Sequence, residues 1–211
     1  MLTLYGHPIS SFTWKVLMAL YENDTLFDFI TVDQNTYADF IGKWPMGKFP
    51  ILIDSDRKSM TTETSVIIEY LDVYYPGVTR FIPQDIGAAL EVRRWDRVFD
   101  HINTTMSKVV VDNIRPDGQR DPFGVDEARR VVHAAYGIVE TQLNNRAFAV
   151  GDNFTMADCA AAPALWYATR NVPLENKYPR IAAYLERLKA RPSFARAVKE
   201  SEPLFHMYPG A

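Results

Sequence analysis

At Tyr75-Pro76-Gly77 the hydrophobic pattern of this 211-residue chain changes period and does not change back. Before that point strands and helices alternate. Met1 to Tyr5 is a short apolar strand, and Phe12, Val16, Ala19 and Leu20 recur at helical spacing, so 11–22 is an amphipathic helix. Phe27 to Val32 is rich in β-formers, and 36–42 reads as a short, weak helix. Phe49-Pro50-Ile51-Leu52-Ile53 is an apolar run bounded by turn residues, a buried strand; a turn at 54–56 and a short strand at 57–60 complete a hairpin. Val66, Ile67, Tyr70 and Leu71 mark one face of a helix from Glu63 to about Tyr75. The order is βαβ(α)ββα, and its strand-helix-strand start implies a parallel pair with a right-handed crossover. After the break, the period is helical throughout, with helices expected over 88–114, 125–144, 155–171, 178–190 and 192–200. The expected fold is therefore an α/β unit over 1–77, a Pro- and Gly-containing linker over 78–87, and an all-helical unit over 88–211.

Charge and cysteine content exclude several classes. A net charge of −3 leaves no broad basic field for nucleic acid or an anionic membrane, so any anion must be bound locally. A lone Cys159 excludes an internal disulfide framework, a CxxC redox pair and a thiolate metal cluster. The four histidines have no metal-ligand spacing, and no metal is expected. The first residues lack a basic region followed by a long apolar run, and no stretch approaches the ~20 apolar residues of a membrane span. A cytoplasmic protein is expected.

One helix start is fully specified by its own residues. Phe154-Thr155-Met156-Ala157-Asp158-Cys159 places Thr155 at the N-cap and Asp158 three residues on, a capping box, with Phe154 and Cys159 closing the entry as a staple. Both polar residues serve folding, and Cys159 is a buried packing residue.

Three other places point to a ligand. In His7-Pro8-Ile9-Ser10-Ser11-Phe12 the first strand ends and a helix begins, so hydroxyls lie beside free helical N–H groups, which favours an anion. Ser10 or Ser11 either caps this helix or donates to the anion. Lys48-Phe49-Pro50 puts a proline at the entry of a buried strand, implying an edge or a cis bond. With a cis bond, the N–H and C=O of Phe49 are free to pair with an extended, peptide-like ligand. Thr62-Glu63-Thr64-Ser65 is a second hydroxyl-rich helix start, suited to a ligand carboxylate at Thr64 and a ligand ammonium at Glu63.

In this order and spacing the motifs resemble the cytosolic glutathione transferases, and the resemblance covers essentially the whole chain. Pro45-Met46-Gly47-Lys48-Phe49-Pro50 is similar to the family's Pro-x-Gly-x-Val-Pro stretch, and Glu63-Thr64-Ser65-Val66-Ile67 to its Glu/Gln-Ser before Ala-Ile. Ser10-Ser11-Phe12-Thr13-Trp14-Lys15-Val16 looks most like the Ser-Ser-Cys-x-Trp-Arg-Val of the zeta class. Trp44 stands where Asn is common, Thr64 replaces Ser but keeps the hydroxyl, and Phe12 replaces the zeta cysteine, which sets this chain apart from the maleylacetoacetate isomerases of that class.

The resemblance implies a thioredoxin-like first domain and a helical second one. It implies glutathione as co-substrate, held by Lys48, Phe49, Pro50, Glu63 and Thr64, and a second, electrophilic substrate between the domains. Ser10 is the implied partner of the glutathione sulfur, with Ser11 and Tyr5 as alternatives. Phe12, Trp14, Asn103, Met106 and the tail Phe205-His206-Met207 are the expected walls of the electrophile pocket. The family implies a homodimer. A glutathione-dependent isomerase and a glutathione-binding protein without turnover are the competing expectations.

Overall fold

The computed structural model describes residues 1–210. A four-stranded sheet of order β2-β1-β3-β4 is built from β1 (Leu2–Gly6), β2 (Phe27–Thr31), β3 (Ile51–Asp54) and β4 (Ser59–Thr61). β1 and β2 are parallel, with Leu2 opposite Phe27 and Gly6 opposite Thr31. The crossover between them is α1 (Ser11–Glu22), since parallel neighbours need a long return path. β3 runs antiparallel to both β1 and β4. α2 (Tyr37–Lys43) and α3 (Thr64–Tyr74) complete this part.

The helical part comprises α4 (Ile86–Asp112), α5 (Pro122–Gln142), α6 (Met156–Asn171), α7 (Pro179–Lys189) and α8 (Pro192–Ser201), followed by a 3-10 turn over Glu202–Met207. α6 is the central helix, and every residue from Met156 to Ala168 is buried. α1 packs on α6 and α8, so the core runs through both parts. Its join is aromatic: Trp14 of α1 lies 4.9 Å from Trp166, 5.2 Å from Tyr167 and 5.8 Å from Phe194, ring centre to ring centre. Such pairs contribute about 0.5–1.5 kcal/mol each beyond area burial.

The expected hairpin sits a little later in the chain than its residues suggest. Proline has no N–H to give the ladder, so β3 pairs only from Ile51, opposite Tyr5. Asp54, expected in the turn, is the last strand residue and is buried. Its carboxylate accepts the N–H groups of Asp56 and Arg57 and the hydroxyls of Tyr70 and Tyr75, so the turn forms around it. α4 begins two residues earlier than expected because Asp85 caps it, accepting from Ala88 N–H at 2.8 Å.

Candidate active site

The loop from β1 to α1 is fixed by close packing. A Cβ on Gly6 would lie 2.7 Å from the side chain of buried Thr13, so only glycine lets the first turn of α1 sit against the strand end. Main-chain groups of the loop are held from two sides. Trp14 Nε1 donates to the Pro8 carbonyl, and the Tyr167 hydroxyl of α6 donates to the Ile9 carbonyl at 2.6 Å. The loop delivers Ser10 as the N-cap of α1, its Oγ accepting the Thr13 N–H at 3.3 Å. A hydroxyl that accepts in this way keeps its own hydrogen to donate. Ser11 Oγ likewise accepts, from Asn103 Nδ2 at 2.8 Å. His7 stands beside them with its pKa lowered by burial, its Nδ1 accepting from the Ile9 N–H.

Two cavities meet here. The larger, of about 730 Å³, has one wall from Trp44, Lys48, Phe49, Pro50 and the start of α3 from Glu63 to Val66. Its opposite wall is one face of α4, with Arg97, Asp100, His101, Thr104, Thr105 and Lys108. The smaller, of about 400 Å³, holds Ser10, Ser11 and His7 against Met106, Val110 and Tyr208. Phe12 and Phe49 line both, so the cavities are neighbours across these two rings.

The Phe49-Pro50 peptide is cis, and the β1–β3 pairing starts beyond it, leaving the main chain of Phe49 outside the ladder. Glu63, the N-cap of α3, has φ 64° and ψ 116°, a conformation costing about 1–3 kcal/mol for a residue with a side chain. No side chain caps α3, so its first N–H groups are left for something other than its own cap. Lys15 of α1 is buried among Asp96 at 2.7 Å and two residues of the cavity lining, Asp100 at 2.9 Å and Ser65 Oγ at 3.0 Å. Ser65 in turn donates to Asp96 at 2.5 Å. Burial pushes the Asp100 carboxyl up, against the pull of the Lys15 charge. This cluster ties α1, α3 and α4 together through Ser65, the residue after Thr64.

Residues 4–79 match the family model for the glutathione S-transferase N-terminal domain, and 102–192 that for the C-terminal domain. The chain belongs to the glutathione S-transferase family. It is 31% identical to glutathione S-transferase 3 of Zea mays, covering 93% of each chain. It is 27% identical to glutathione S-transferase GstB of Escherichia coli, over 94% of this chain and 98% of the relative. A solved glutathione S-transferase from Methylobacillus flagellatus with glutathione bound superposes with a TM-score of 0.84 at 27% identity, over 93% and 98% of the two chains. One from Methylobacterium radiotolerans in complex with glutathione sulfonate gives 0.81 at 27%, over 93% and 94%.

In this transferase, Lys48, Phe49, Pro50, Glu63, Thr64 and Phe12 come together around the larger cavity, and Ser10, Ser11, Phe12 and Met106 around the smaller. Four expected site positions lie elsewhere. Trp14 is fully buried in the aromatic join and clamps the loop from behind; it is no pocket wall. Asn103 is 3% exposed and spends its amide N–H on Ser11. In the tail, Phe205 packs on Trp166 and Tyr167 and Met207 faces solvent, and it is Tyr208 that reaches the cavity. Tyr5 packs on Phe40 and donates its hydroxyl to Asp39 at 3.1 Å, away from both cavities. The polar face of α4 joins the site without a distinguishing motif: Arg97, His101, Thr104, Thr105 and Lys108 recur at helical spacing, a pattern that also marks any solvated helix face. Among the described residues no cluster of three or more His, Cys, Asp or Glu is placed to hold a metal ion, and no helix is long and apolar enough to cross a membrane.

Proposed function

We propose that this chain catalyses attack of the glutathione thiolate on a small electrophile. Glutathione lies along Phe49, its γ-glutamyl carboxylate at the uncapped start of α3 with Thr64, its ammonium at Glu63 and its glycyl carboxylate towards Lys48. The sulfur then sits before α1. The observation that carries this reading is Ser10: its oxygen is occupied by the Thr13 N–H, so its hydrogen is free to donate, beside a cavity adjoining the α3 start.

The reacting species is the thiolate, and the thiol proton leaves to solvent. Lowering a thiol pKa by about two units requires roughly 2.7 kcal/mol of anion stabilisation. A hydroxyl hydrogen bond to a charged acceptor supplies about 1.5–3 kcal/mol. The start of α1 adds about 0.3–1 kcal/mol. These suffice without a general base, and burial holds His7 away from the charged form that would add a cation. The thiolate lone pair forms the carbon–sulfur bond as the leaving group departs with its electron pair. The active form is a cytoplasmic homodimer; Val66 and Val73 of α3 and Leu90 of α4 are large apolar side chains left exposed for a second copy to cover.

Replacing Ser10 tests the reading. Ser10→Ala is expected to lower turnover of an aryl halide at neutral pH at least about tenfold, the loss of one charge-assisted hydrogen bond, while glutathione still binds by calorimetry. Unchanged turnover would reject Ser10, and a larger loss in Ser11→Ala would assign the role to its neighbour. Glutathione binding with no turnover of any electrophile by the unmodified chain would instead make this a binding protein.

A further inference from the structure

Lys108 stands on α4 at the rim between the two cavities. It lines the larger one, while Met106 and Ser107 before it and Val110 and Val111 after it line the smaller. Phe12, common to both, is the only ring on the α1 side shared with that rim. Lys108 makes no ion pair or hydrogen bond among the described residues. Glu127 of α5 feels its charge, but that carboxylate is already held by Arg130 at 2.6 Å.

Pairing the charged groups around the larger cavity contact by contact leaves Lys108 without a partner. In the seating proposed above, the two glutathione carboxylates are met by the α3 start and by Lys48, and the ammonium by Glu63. Arg97 lies 3.4 Å from Asp100, which also pairs with Lys15. Lys15, Arg97, Asp96 and Asp100 therefore sum to zero formal charge. Lys108 remains as a cation of the cavity lining with no charged contact among the described residues or in that seating. Beside it on the same helical face are the Thr104 and Thr105 side chains and the imidazole of His101. Of these, Thr104 already donates its hydroxyl hydrogen to the Asp100 carbonyl at 2.6 Å.

We propose that Lys108 selects electrophiles that carry an anionic end. The apolar body lies in the smaller cavity beside Ser10, against Met106 and Val110, and a carboxylate reaches across the Phe12 rim to the Lys108 ammonium. This inference rests on the transferase reading. The two cavity linings supply both features side by side: the apolar cavity alone accepts neutral electrophiles, and the lysine alone is an ordinary surface cation. A carboxylate on the part of the electrophile remote from the reacting carbon satisfies both, and it does not compete with the thiolate for Ser10.

The test compares two electrophiles that differ in charge at one ring substituent, a chlorodinitrobenzoate and its methyl ester, at saturating glutathione. Each rate is divided by its uncatalysed rate with glutathione, which removes their difference in intrinsic reactivity. The unmodified chain is expected to favour the carboxylate by about tenfold in corrected kcat/KM, the worth of one partly desolvated charge contact. Lys108→Ala brings that ratio close to one, Lys108→Glu reverses it, and Lys108→Arg keeps it. Raising the ionic strength shrinks the preference of the unmodified chain. A ratio that is the same in the unmodified, Ala and Glu forms overturns the proposal, as does a wild-type preference for the ester. Turnover of neither electrophile overturns the transferase reading and this inference with it.

Discussion

The starts of α3 and α6 use the same residue types to opposite ends. At α6, Thr155 and Asp158 answer each other: Asp158 accepts the Thr155 N–H at 2.8 Å and its hydroxyl at 3.0 Å. The same carboxylate accepts the Ala149 N–H at 2.9 Å and the Tyr184 hydroxyl. Nothing is left over, and the helix start is buried in the core. At α3, Glu63 and Thr64 also bring an acid and a hydroxyl to a helix start, yet no side chain caps it. Glu63 is held at positive φ, and both residues line a cavity. Polar chemistry closed upon itself specifies a fold. Polar chemistry left open, and held in a costly backbone conformation, is available to a ligand.

The largest effect expected from this contrast is at the closed start. Asp158→Ala leaves the N–H groups of Thr155 and Ala149 and the Tyr184 hydroxyl without their acceptor in the core. Each unsatisfied buried donor costs about 1–3 kcal/mol, so a loss of about 5 kcal/mol is expected. Chemical denaturation measures it. If the variant is too unstable to purify, Tyr184→Phe isolates one of the four bonds and is expected to cost about 1 kcal/mol. A Tyr184→Phe protein as stable as the parent would show that the closed start does not depend on this network.

Next in size is the cluster that ties the open start to its neighbours. Lys15→Met leaves Asp96 and Asp100 without their buried cation, and only the exposed Arg97 remains, 3.4 Å from Asp100. Breaking a buried pair in this way costs about 3–5 kcal/mol. Its sign with pH is fixed by Asp100, whose pKa burial already raises and which loses a lowering partner in the variant. A carboxyl with a raised folded pKa contributes stability that is fully present below its unfolded value and is lost as pH rises through the folded value. The deficit of Lys15→Met relative to the parent is therefore expected to shrink as pH falls from 7 towards 5, followed by thermal melts. Because Ser65 loses a partner too, the variant's KM for glutathione is expected to rise more than its kcat falls. A pH-independent deficit, or an effect on kcat alone, would break the link between this cluster and the α3 start.

The same contrast explains what the sequence made legible. Local chemistry shows in local spacing: the Thr155–Asp158 box, Ser10 ahead of an amphipathic run and Pro50 at a strand entry are each readable from a few neighbours. Whether a start is closed or open is also partly local. What lies across from it is not. Trp14 follows Ser10 by one helical turn, but only the packing of α6 and α8 on α1 turns its ring into the core. Asn103 and Thr105 are two residues apart on α4; one is locked to Ser11 and the other lines the cavity, and no pattern within α4 separates them. The partner of Asp158 at Tyr184 on α7, and those of Lys15 on α3 and α4, come from distant segments and become visible only when the helices pack.

The smallest effect is the sharpest, because it has opposite signs in two measurements. At φ 64° and ψ 116°, Glu63 occupies a conformation that glycine adopts without the Cβ penalty. Glu63→Gly relieves that cost, offset in part by the extra freedom glycine gains in the unfolded chain, for a net gain of about 0.5–1 kcal/mol in stability. The same change removes the carboxylate proposed to meet the glutathione ammonium, a charge contact on a cavity wall. Glutathione Kd is expected to rise about tenfold, equivalent to about 1.4 kcal/mol. Calorimetric titration reads the second effect and denaturation the first. An open helix start held for a ligand must give up affinity as it gains stability. A variant that binds glutathione as tightly as the parent, or that loses stability along with affinity, would put Glu63 in the same structural category as Asp158 and remove the distinction between the two starts.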